Sequence, residues 1–255
     1  MTPSTELPKV SIIVLSHNAL HYSKMMYASL RRYTHYPYEL VWVDSVSTDG
    51  TRDWLKSLDE VKVLFVGTMG IGEAMIHGLA ECDLESKYIG DIDNDLILTD
   101  GWLGRLVKHM EDNPEFGAIA AKSTAAYRGT IDFKPSKDAF NEDIQAFAKK
   151  IADEDTNLAV VDWVNGSHTL LRRKAIEQVG LWDSRLWTAE DKDIGLRLAE
   201  AGWRNAYANN TWVYHFHLKT VEGLDPAWRK RQRRSNALCD RLIIMRGRKR
   251  GEKRK

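Results

Sequence analysis

The chain has 255 residues, enough for one domain with a substantial core, and its 43% hydrophobic and 29% charged content is that of a globular protein, not a disordered or fibrous one. No run of 18 apolar residues occurs, which argues against a membrane-spanning helix, and Met1–Val10 lacks the basic start and apolar stretch of a secretory signal. Two cysteines, Cys82 and Cys239, stand far apart in no metal-ligand spacing, so the expectation is a reduced, cytoplasmic chain without a disulfide framework.

The first half alternates strand-like and helix-like segments. Val10–Leu15 is an apolar, β-branched run and predicts a buried strand. His21–Tyr33 carries apolar residues at helical spacing (Met25, Met26, Ala28, Leu30), and Tyr38–Val43 predicts a second strand closing on Asp44. Ser47-Thr48-Asp49-Gly50-Thr51 is rich in turn and cap formers and leads into a short helix, Arg52–Leu58. A third strand, Val61–Val66, precedes a helix at Gly72–Ala80. Tyr88–Gly90 predicts a strand running toward Asp93-Asn94-Asp95, and Trp102–Glu111 is helical. This alternation implies an α/β fold with a parallel sheet covered by helices on both faces.

The second half is less regular. Lys122–Phe140 mixes polar, small and aromatic residues and reads as a loop or short hairpin, and Gln145–Ile151 as a brief helix. Strands are expected at Val160–Val164, Thr169–Leu171, Ala206–Ala208 and Trp212–Phe216, and helices at Arg173–Val179 and Asp191–Ala201.

Asp93-Asn94-Asp95 is the most informative cluster. Carboxylates this close repel unless a cation or solvent holds them apart, and Mg²⁺ or Mn²⁺ commonly binds through one or two carboxylates plus substrate phosphates. In α/β sheets ligands collect at the carboxyl ends of strands, where this triplet falls. Taken alone, the triplet also fits an acidic surface loop.

It is joined by other segments in a fixed order. Val10-Ser11-Ile12-Ile13-Val14 and Ser16-His17-Asn18 come first, then Val41-Trp42-Val43-Asp44 with Ser47-Thr48-Asp49-Gly50-Thr51, then Asp91-Ile92-Asp93-Asn94-Asp95. Val164-Asn165-Gly166-Ser167 follows, with Arg172–Gly180 and Leu181-Trp182-Asp183, then Glu190-Asp191-Lys192-Asp193 and Val213-Tyr214-His215. In this order the chain, from about Val10 to His217, resembles the family 2 glycosyltransferases of GT-A fold.

The resemblance implies a GT-A-like, mostly parallel sheet, with a nucleotide-binding first half and an acceptor-binding second half over residues 1–220. It implies inverting transfer of a sugar from a nucleotide-diphosphate donor to an acceptor hydroxyl, with Mn²⁺ or Mg²⁺ as cofactor. Ser16, Asn18, Asp44, Asp93 and Asn94 fall on the donor side, with Asp44 accepting a hydrogen bond from the base. An alternative for Asp44 is a turn or cap role shared with Asp49. Asp93, Asp95 and His215 fall on the metal, with His217 as a fallback two residues along the same strand face; either histidine also fits plain polar packing. Asp191 matches the catalytic base, its charged form favoured by a helix N-terminus and its proton affinity raised by Glu190 and Asp193. Gly166, Glu190, Trp163 and Trp182 fall on the acceptor side; Trp163, Trp182 and Trp187 fit sugar stacking and core packing equally.

The chain departs from the family where relatives carry asparagines around a glycine, having Thr68, Met69-Gly70 and Ile76 there, and Ser45-Val46 follows Asp44. A binding module without turnover stays open as an alternative. A nucleotidyltransferase fits less well, because Ser16-His17-Asn18-Ala19 is not a glycine-rich phosphate loop.

The formal net charge of +1 hides an asymmetry. Residues Asp225–Lys255 hold 13 Lys/Arg against three Asp/Glu, while the rest holds 24 against 33. The expectation is a separate basic extension, 221–255. It fits peripheral contact with an anionic membrane near a lipid-linked glycan acceptor, contact with nucleic acid, as in transfer to modified DNA, or a solvated end with no partner.

Overall fold

The computed structural model describes residues 7–124, 133–217 and 226–253. Strand β1 (Val10–Ser16), helix α1 (Leu20–Tyr33), β2 (Glu39–Ser45), α2 (Thr51–Lys56), β3 (Lys62–Val66) and α3 (Ile71–Glu81) form the first layer pair. There follow β4 (Tyr88–Asp93), β5 (Leu96–Ile97), α4 (Trp102–Asp112), β6 (Phe116–Ser123), α5 (Phe140–Glu154) and β7 (Leu158–Val161). The chain continues through β8 (His168–Arg172), α6 (Arg173–Val179), α7 (Glu190–Glu200), β9 (Arg204–His215) and α8 (Pro226–Lys253).

The sheet runs β3-β2-β1-β4-β8-β6-β9-β5, with β7 paired to β9. The parallel arrangement expected from the sequence holds for β3-β2-β1-β4. Beyond β4 the sheet becomes mixed: β8 is antiparallel to both β4 and β6, and β9 is parallel to β6. The sign of each strand decides what meets at the sheet edge. Asp93 ends β4, His215 ends β9, and His168 opens the reversed strand β8 opposite Ile92, so all three reach one edge. That edge is also the crevice where strand order reverses beside β1, a place where α/β sheets bind ligands.

Successive strand residues face opposite sides, and the core divides accordingly. Ile12 and Val14 join Met26, Leu30, Trp42 and Trp102 under α1 and α4. Ile13, Val41 and Val43 join Met75 and Leu79 of α3, with Ile194 and Leu198 of α7, on the other face. A third cluster sets Ile144 and Ala148 of α5 against Trp212.

Several expectations are corrected. β6 was not expected, because Phe116-Gly-Ala-Ile-Ala-Ala is built of small residues with no polar alternation, and its last two residues, Lys122 and Ser123, fall where a loop was expected. Of that loop, residues 125–132 lie outside the described residues, and Phe140 already begins α5. The brief helix at Gln145–Ile151 is the middle of the longer α5. The two strands expected at Ala206–Ala208 and Trp212–Phe216 are one strand, β9, whose pairing with β6 shifts register across Asn209-Asn210-Thr211. Those polar residues stay in the sheet because Asp155 accepts from Asn209 at 2.6 Å and His109 pairs with Asn210 at 2.8 Å. Within the expected basic extension, Pro226–Lys253 forms helix α8, which packs on α7. No helix among the described residues is long and apolar enough to cross a membrane. Cys82 and Cys239 are both unpaired and buried.

Candidate active site

The acidic triplet is fixed by three different elements. The amide of Asp93 donates to the Ser167 carbonyl at 3.0 Å, Asn94 Nδ2 donates to Ser23 Oγ at 2.8 Å, and the amide of Phe216 donates to the Asp95 carbonyl at 3.1 Å. These bonds aim both carboxylates toward His215. Nε2 of His215 donates to Oδ1 of Asp95 at 2.9 Å and lies 3.7 Å from Oδ2 of Asp93. One ligand atom from each of the three residues lies within 4.8 Å of the others. Two hard oxygens and one imidazole nitrogen at this spacing suit Mg²⁺ or Mn²⁺.

The ionisation of these groups fits a cation site. Burial foremost, then Asp95 and Asp191, push the Asp93 carboxyl up to about 6 against the pull of His215. Burial opposes the charge on His215, but the hydrogen bond to Asp95 and the two carboxylates outweigh it and raise its proton affinity. A cation taking Nε2 displaces that proton, so binding is expected to release protons. His215 Nδ1 is buried without a partner. His217 stacks on His215 with ring centroids 3.8 Å apart, and burial lowers it to about 4. His168, unremarked in the sequence, is 1% exposed with neither ring nitrogen partnered, and burial and the two neighbouring histidines lower it to about 3.

A cleft of about 520 Å³ opens on the triplet, within the size range of nucleotide and cofactor pockets. Leu15, Ser16, His17, Ser45 and Val46 line it at the ends of β1 and β2. Thr68, Met69 and Gly70 line it before α3, and Asp93, Asn94, Asp95, His215 and His217 line it at the acidic end. Trp187, Thr188 and the α8 residues Trp228, Arg231 and Gln232 complete the wall. Of these, Thr188 was not singled out in the sequence, and Trp228, Arg231 and Gln232 were read only as part of the basic extension. The signal was present: Trp228, Arg231, Gln232, Ser235 and Cys239 follow the i, i+3, i+4, i+7 spacing of one helix face, blurred by the surrounding charges.

Asp44 is fully buried, which matches its turn alternative. Its carboxylate accepts from Ser16 Oγ at 3.0 Å, from the amide and hydroxyl of Ser47, and from Arg52 Nε at 2.7 Å. Those bonds engage both oxygens and hold the β2 turn. Asn18, in a left-handed conformation at φ 59°, accepts from the Thr48 amide at 2.8 Å and likewise braces that turn.

Asp191 begins α7. Its Oδ2 accepts from the Gly166 amide at 3.1 Å and its Oδ1 from the Lys192 amide at 2.7 Å. Burial raises its proton affinity while those two amides favour its charged form. It borders a second, much smaller cavity together with Asp91, Gly166 and Trp182. Burial, Asp93 and Asp191 push Asp91 up to about 8, and burial with Asp191 raises Glu190 well above the ordinary range. Asp91, Asp93, Glu190 and Asp191 therefore share one electrostatic environment, although nearly 100 residues separate the pairs. Gly166 sits at its centre: a Cβ there would lie 3.2 Å from Asp91 Oδ2 and 3.6 Å from Asp191 Cβ. Trp182 is buried in the core, Trp163 is half-buried with Lys192 over its ring, and Trp187 faces the cleft.

This layout of sheet, cleft and acidic turn agrees with a family comparison. The model of glycosyl transferase family 2 matches residues 11–180. The chain belongs to that family. A mycobacterial relative, the N-acetylglucosaminyl-diphospho-decaprenol L-rhamnosyltransferase of Mycobacterium tuberculosis, is 44% identical over 68 residues, 26% of this chain and 22% of that enzyme. The O-antigen chain rhamnosyltransferase RfbN of Salmonella typhimurium is 22% identical over 83% of this family 2 chain and 68% of its own length. The succinoglycan biosynthesis protein ExoA of Rhizobium meliloti is 29% identical over 71% and 55% respectively. The family 2 chain thus spans about a fifth of the mycobacterial enzyme and just over half of ExoA.

Solved structures show the same fold. The mannosyltransferase PcManGT from Pyrobaculum calidifontis, in complex with GDP-Man and Mn²⁺, superposes with a TM-score of 0.64 at 20% identity, over 94% of this chain and 65% of that one. GalNAc-T7 with UDP, GalNAc and Mn²⁺ gives 0.65 at 15% identity, over 87% and 46%. The central sheet flanked by helices is a GT-A fold.

Proposed function

We propose that this chain transfers a sugar, with inversion, from a nucleotide-diphosphate sugar to an acceptor hydroxyl. The observation that carries the reading is the convergence of Asp93, Asp95 and His215 in one cleft, with Asp191 in electrostatic contact behind them. The nucleoside lodges against Ser16, His17, Ser45 and Val46 at the ends of β1 and β2, with Asn94 and Asn18 holding the turns around it. Asp93, Asp95 and His215 would hold Mn²⁺ or Mg²⁺, whose charge would stabilise the leaving diphosphate. The acceptor oxygen attacks the anomeric carbon as the bond from that carbon to the diphosphate breaks. Asp191 takes the hydroxyl proton, and Glu190 and Gly166 position Asp191 on the acceptor side. The assignment of donor contacts leaves Asp44 to the turn.

Relatives named for an N-acetylglucosaminyl-diphospho-decaprenol, an O-antigen chain and succinoglycan support a glycan acceptor, linked to a polyprenol in the mycobacterial case. The outward face of α8 fits such a setting. Arg229, Lys230, Arg233, Arg234 and Arg241 are exposed there, and Ile244 and Met245 are 54% and 56% exposed. A basic face with apolar residues suits the surface of an anionic membrane, each basic residue contributing about 1 kcal/mol near it, whereas nucleic acid gives the apolar pair no role. Sedimentation with vesicles containing phosphatidylglycerol, against salt-dependent retention on duplex DNA, separates the two.

The deciding experiment is release of nucleoside diphosphate from UDP- and GDP-sugars with Mn²⁺ and with chelator. Mn²⁺-dependent release, abolished in Asp95→Asn, supports the enzyme. Binding of the donors with no release under any acceptor or metal supports a module without turnover.

A further inference from the structure

We propose that Arg231, brought into the cleft by α8, binds the diphosphate of the donor. This rests on the reading of the cleft as a nucleotide-sugar site. A divalent ion held by Asp93 and Asp95 meets two negative charges from its own ligands. The ion's charge is cancelled there, and the donor's diphosphate, with about two further negative charges, needs another cation. Lys and Arg are the side chains that remain charged at any working pH, and Arg231 is the one such residue among the described residues lining the cleft.

Its placement is built rather than incidental. Four residues on, Ser235 is 4% exposed and exchanges hydrogen bonds with both backbone groups of Thr188, while Cys239 is 1% exposed and reaches the Ala189 carbonyl at 3.7 Å. Further along, Lys192 pairs with Asp240 at 2.9 Å and Arg246 with Asp193 at 2.7 Å. These contacts fix the rotation of α8, and that rotation turns Trp228, Arg231 and Gln232 into the cleft. The guanidinium carbon of Arg231 sits 4.6 Å above the Trp187 ring centroid. Stacking on a ring face holds the guanidinium plane while leaving its N–H edge free, and that edge matches two phosphate oxygens. Arg231 forms no ion pair with a carboxylate among the described residues. The helix's other inward arginine, Arg246, is committed to Asp193 and Glu200.

The test is isothermal titration calorimetry of UDP and GDP, each beside its monophosphate UMP or GMP, with Mn²⁺ and with EDTA. The proteins are wild type, Arg231→Ala, Arg231→Lys and the outward-facing control Arg234→Ala. Thermal unfolding verifies that each variant folds, which exposure of Arg231 makes the expected outcome. Arg231→Ala is expected to weaken the better-bound diphosphate by about tenfold or more in both conditions, with its monophosphate changed less than threefold. Arg231→Lys recovers part of the loss, because it restores charge without the fork, and Arg234→Ala matches wild type. Equal affinity of wild type and Arg231→Ala for the diphosphate overturns the proposal and leaves the cleft's nucleotide reading standing. So does an equal loss for diphosphate and monophosphate. Wild type that binds neither diphosphate under either condition overturns the nucleotide reading itself, and the role of Arg231 with it.

Discussion

Ser235 holds both backbone groups of Thr188: its Oγ accepts from the Thr188 amide at 3.1 Å and donates to the Thr188 carbonyl at 2.7 Å. Thr188 lies two residues before Glu190 and three before Asp191. The basic helix therefore clamps the segment that delivers the proposed base. Ser235→Ala leaves two buried backbone groups without partners, which costs about 1–3 kcal/mol. The expected result is a lower melting temperature by several degrees and a several-fold lower kcat, with nucleoside diphosphate affinity within about threefold of wild type. Calorimetry and steady-state kinetics on the same preparation check this. Unchanged kcat with lowered stability would reduce the clamp to a structural contact.

Asp191 and Asp95 are expected to separate transfer from binding. Asp191→Asn keeps the size and shape of the side chain but cannot take a proton at neutral pH, and its Nδ2 leaves one of the Gly166 and Lys192 amides without its acceptor. Loss of a positioned general base lowers turnover by about 10²–10⁴-fold. Donor affinity, measured by calorimetry with Mn²⁺, is expected to change by less than threefold. Asp95→Asn removes the negative charge that His215 pairs with and that would draw a cation, leaving a neutral oxygen as the weaker ligand, so Mn²⁺ and donor affinity are expected to fall in parallel. Wild-type turnover in Asp191→Asn would assign the proton to another group, with Glu190 the nearest candidate.

Gly70 marks where the cleft depends on close approach of two backbones. A Cβ there would lie 2.6 Å from the Leu186 carbonyl oxygen and 2.7 Å from Trp187 Cα, and the neighbouring Ile71 amide donates to the Trp187 carbonyl at 3.1 Å. Neither neighbour is a flexible side-chain end, so Gly70→Ala must push the Leu186–Thr188 segment away. An overpacking cost of about 1–3 kcal/mol is expected. Because Trp187 and Thr188 line the cleft, the KM for donor is expected to rise as well. Urea unfolding and donor-saturation kinetics measure both effects. A stable variant with unaltered KM would show that the segment relaxes without cost.

The first half of the fold was legible because β1 and β2 are apolar runs buried on both faces and turn-forming residues separate the strands from the helices that follow, so period and punctuation agree. β6 was hidden by alanines and a glycine, whose small side chains suit a crowded sheet centre but carry no pattern. β9 was split by Asn209-Asn210-Thr211, which read as a turn and are held in the sheet by Asp155 and His109 from distant segments. The acidic triplet and Asp191 could be paired only through family likeness. Their physical link is the turn at Gly166 and Ser167, which contacts Asp191 through one amide and Asp93 through one carbonyl. The contacts of Asp44 were not legible from its place at a strand end, since its partners Ser16 and Arg52 come from β1 and α2. The wall formed by α8 was illegible because charge dominates its composition while Ser235 and Cys239, two small residues, set its docking face.

His168 sets the expected response to acid. It is buried between β4 and β6, with neither ring nitrogen partnered, and burial with the nearby His215 and His217 holds it at about 3 against an ordinary value near 6.5. In that interval the unfolded chain binds a proton that the folded chain refuses. The contribution of the neutral ring is complete above pH 6.5 and is lost as pH falls toward 3, by at most about 1.4 kcal/mol per pH unit. Other buried or paired groups also titrate in acid, so the informative quantity is the difference between wild type and a variant. His168→Leu keeps a side chain that fills the site and removes the titration. Measured in chelator, its melting temperature is expected to fall less steeply than wild type between pH 6.5 and 4, with the two curves parallel above pH 7. Parallel curves across the whole range would mean that His168 is solvated or already partnered, and that the histidine edge of the cleft is more open than its burial implies.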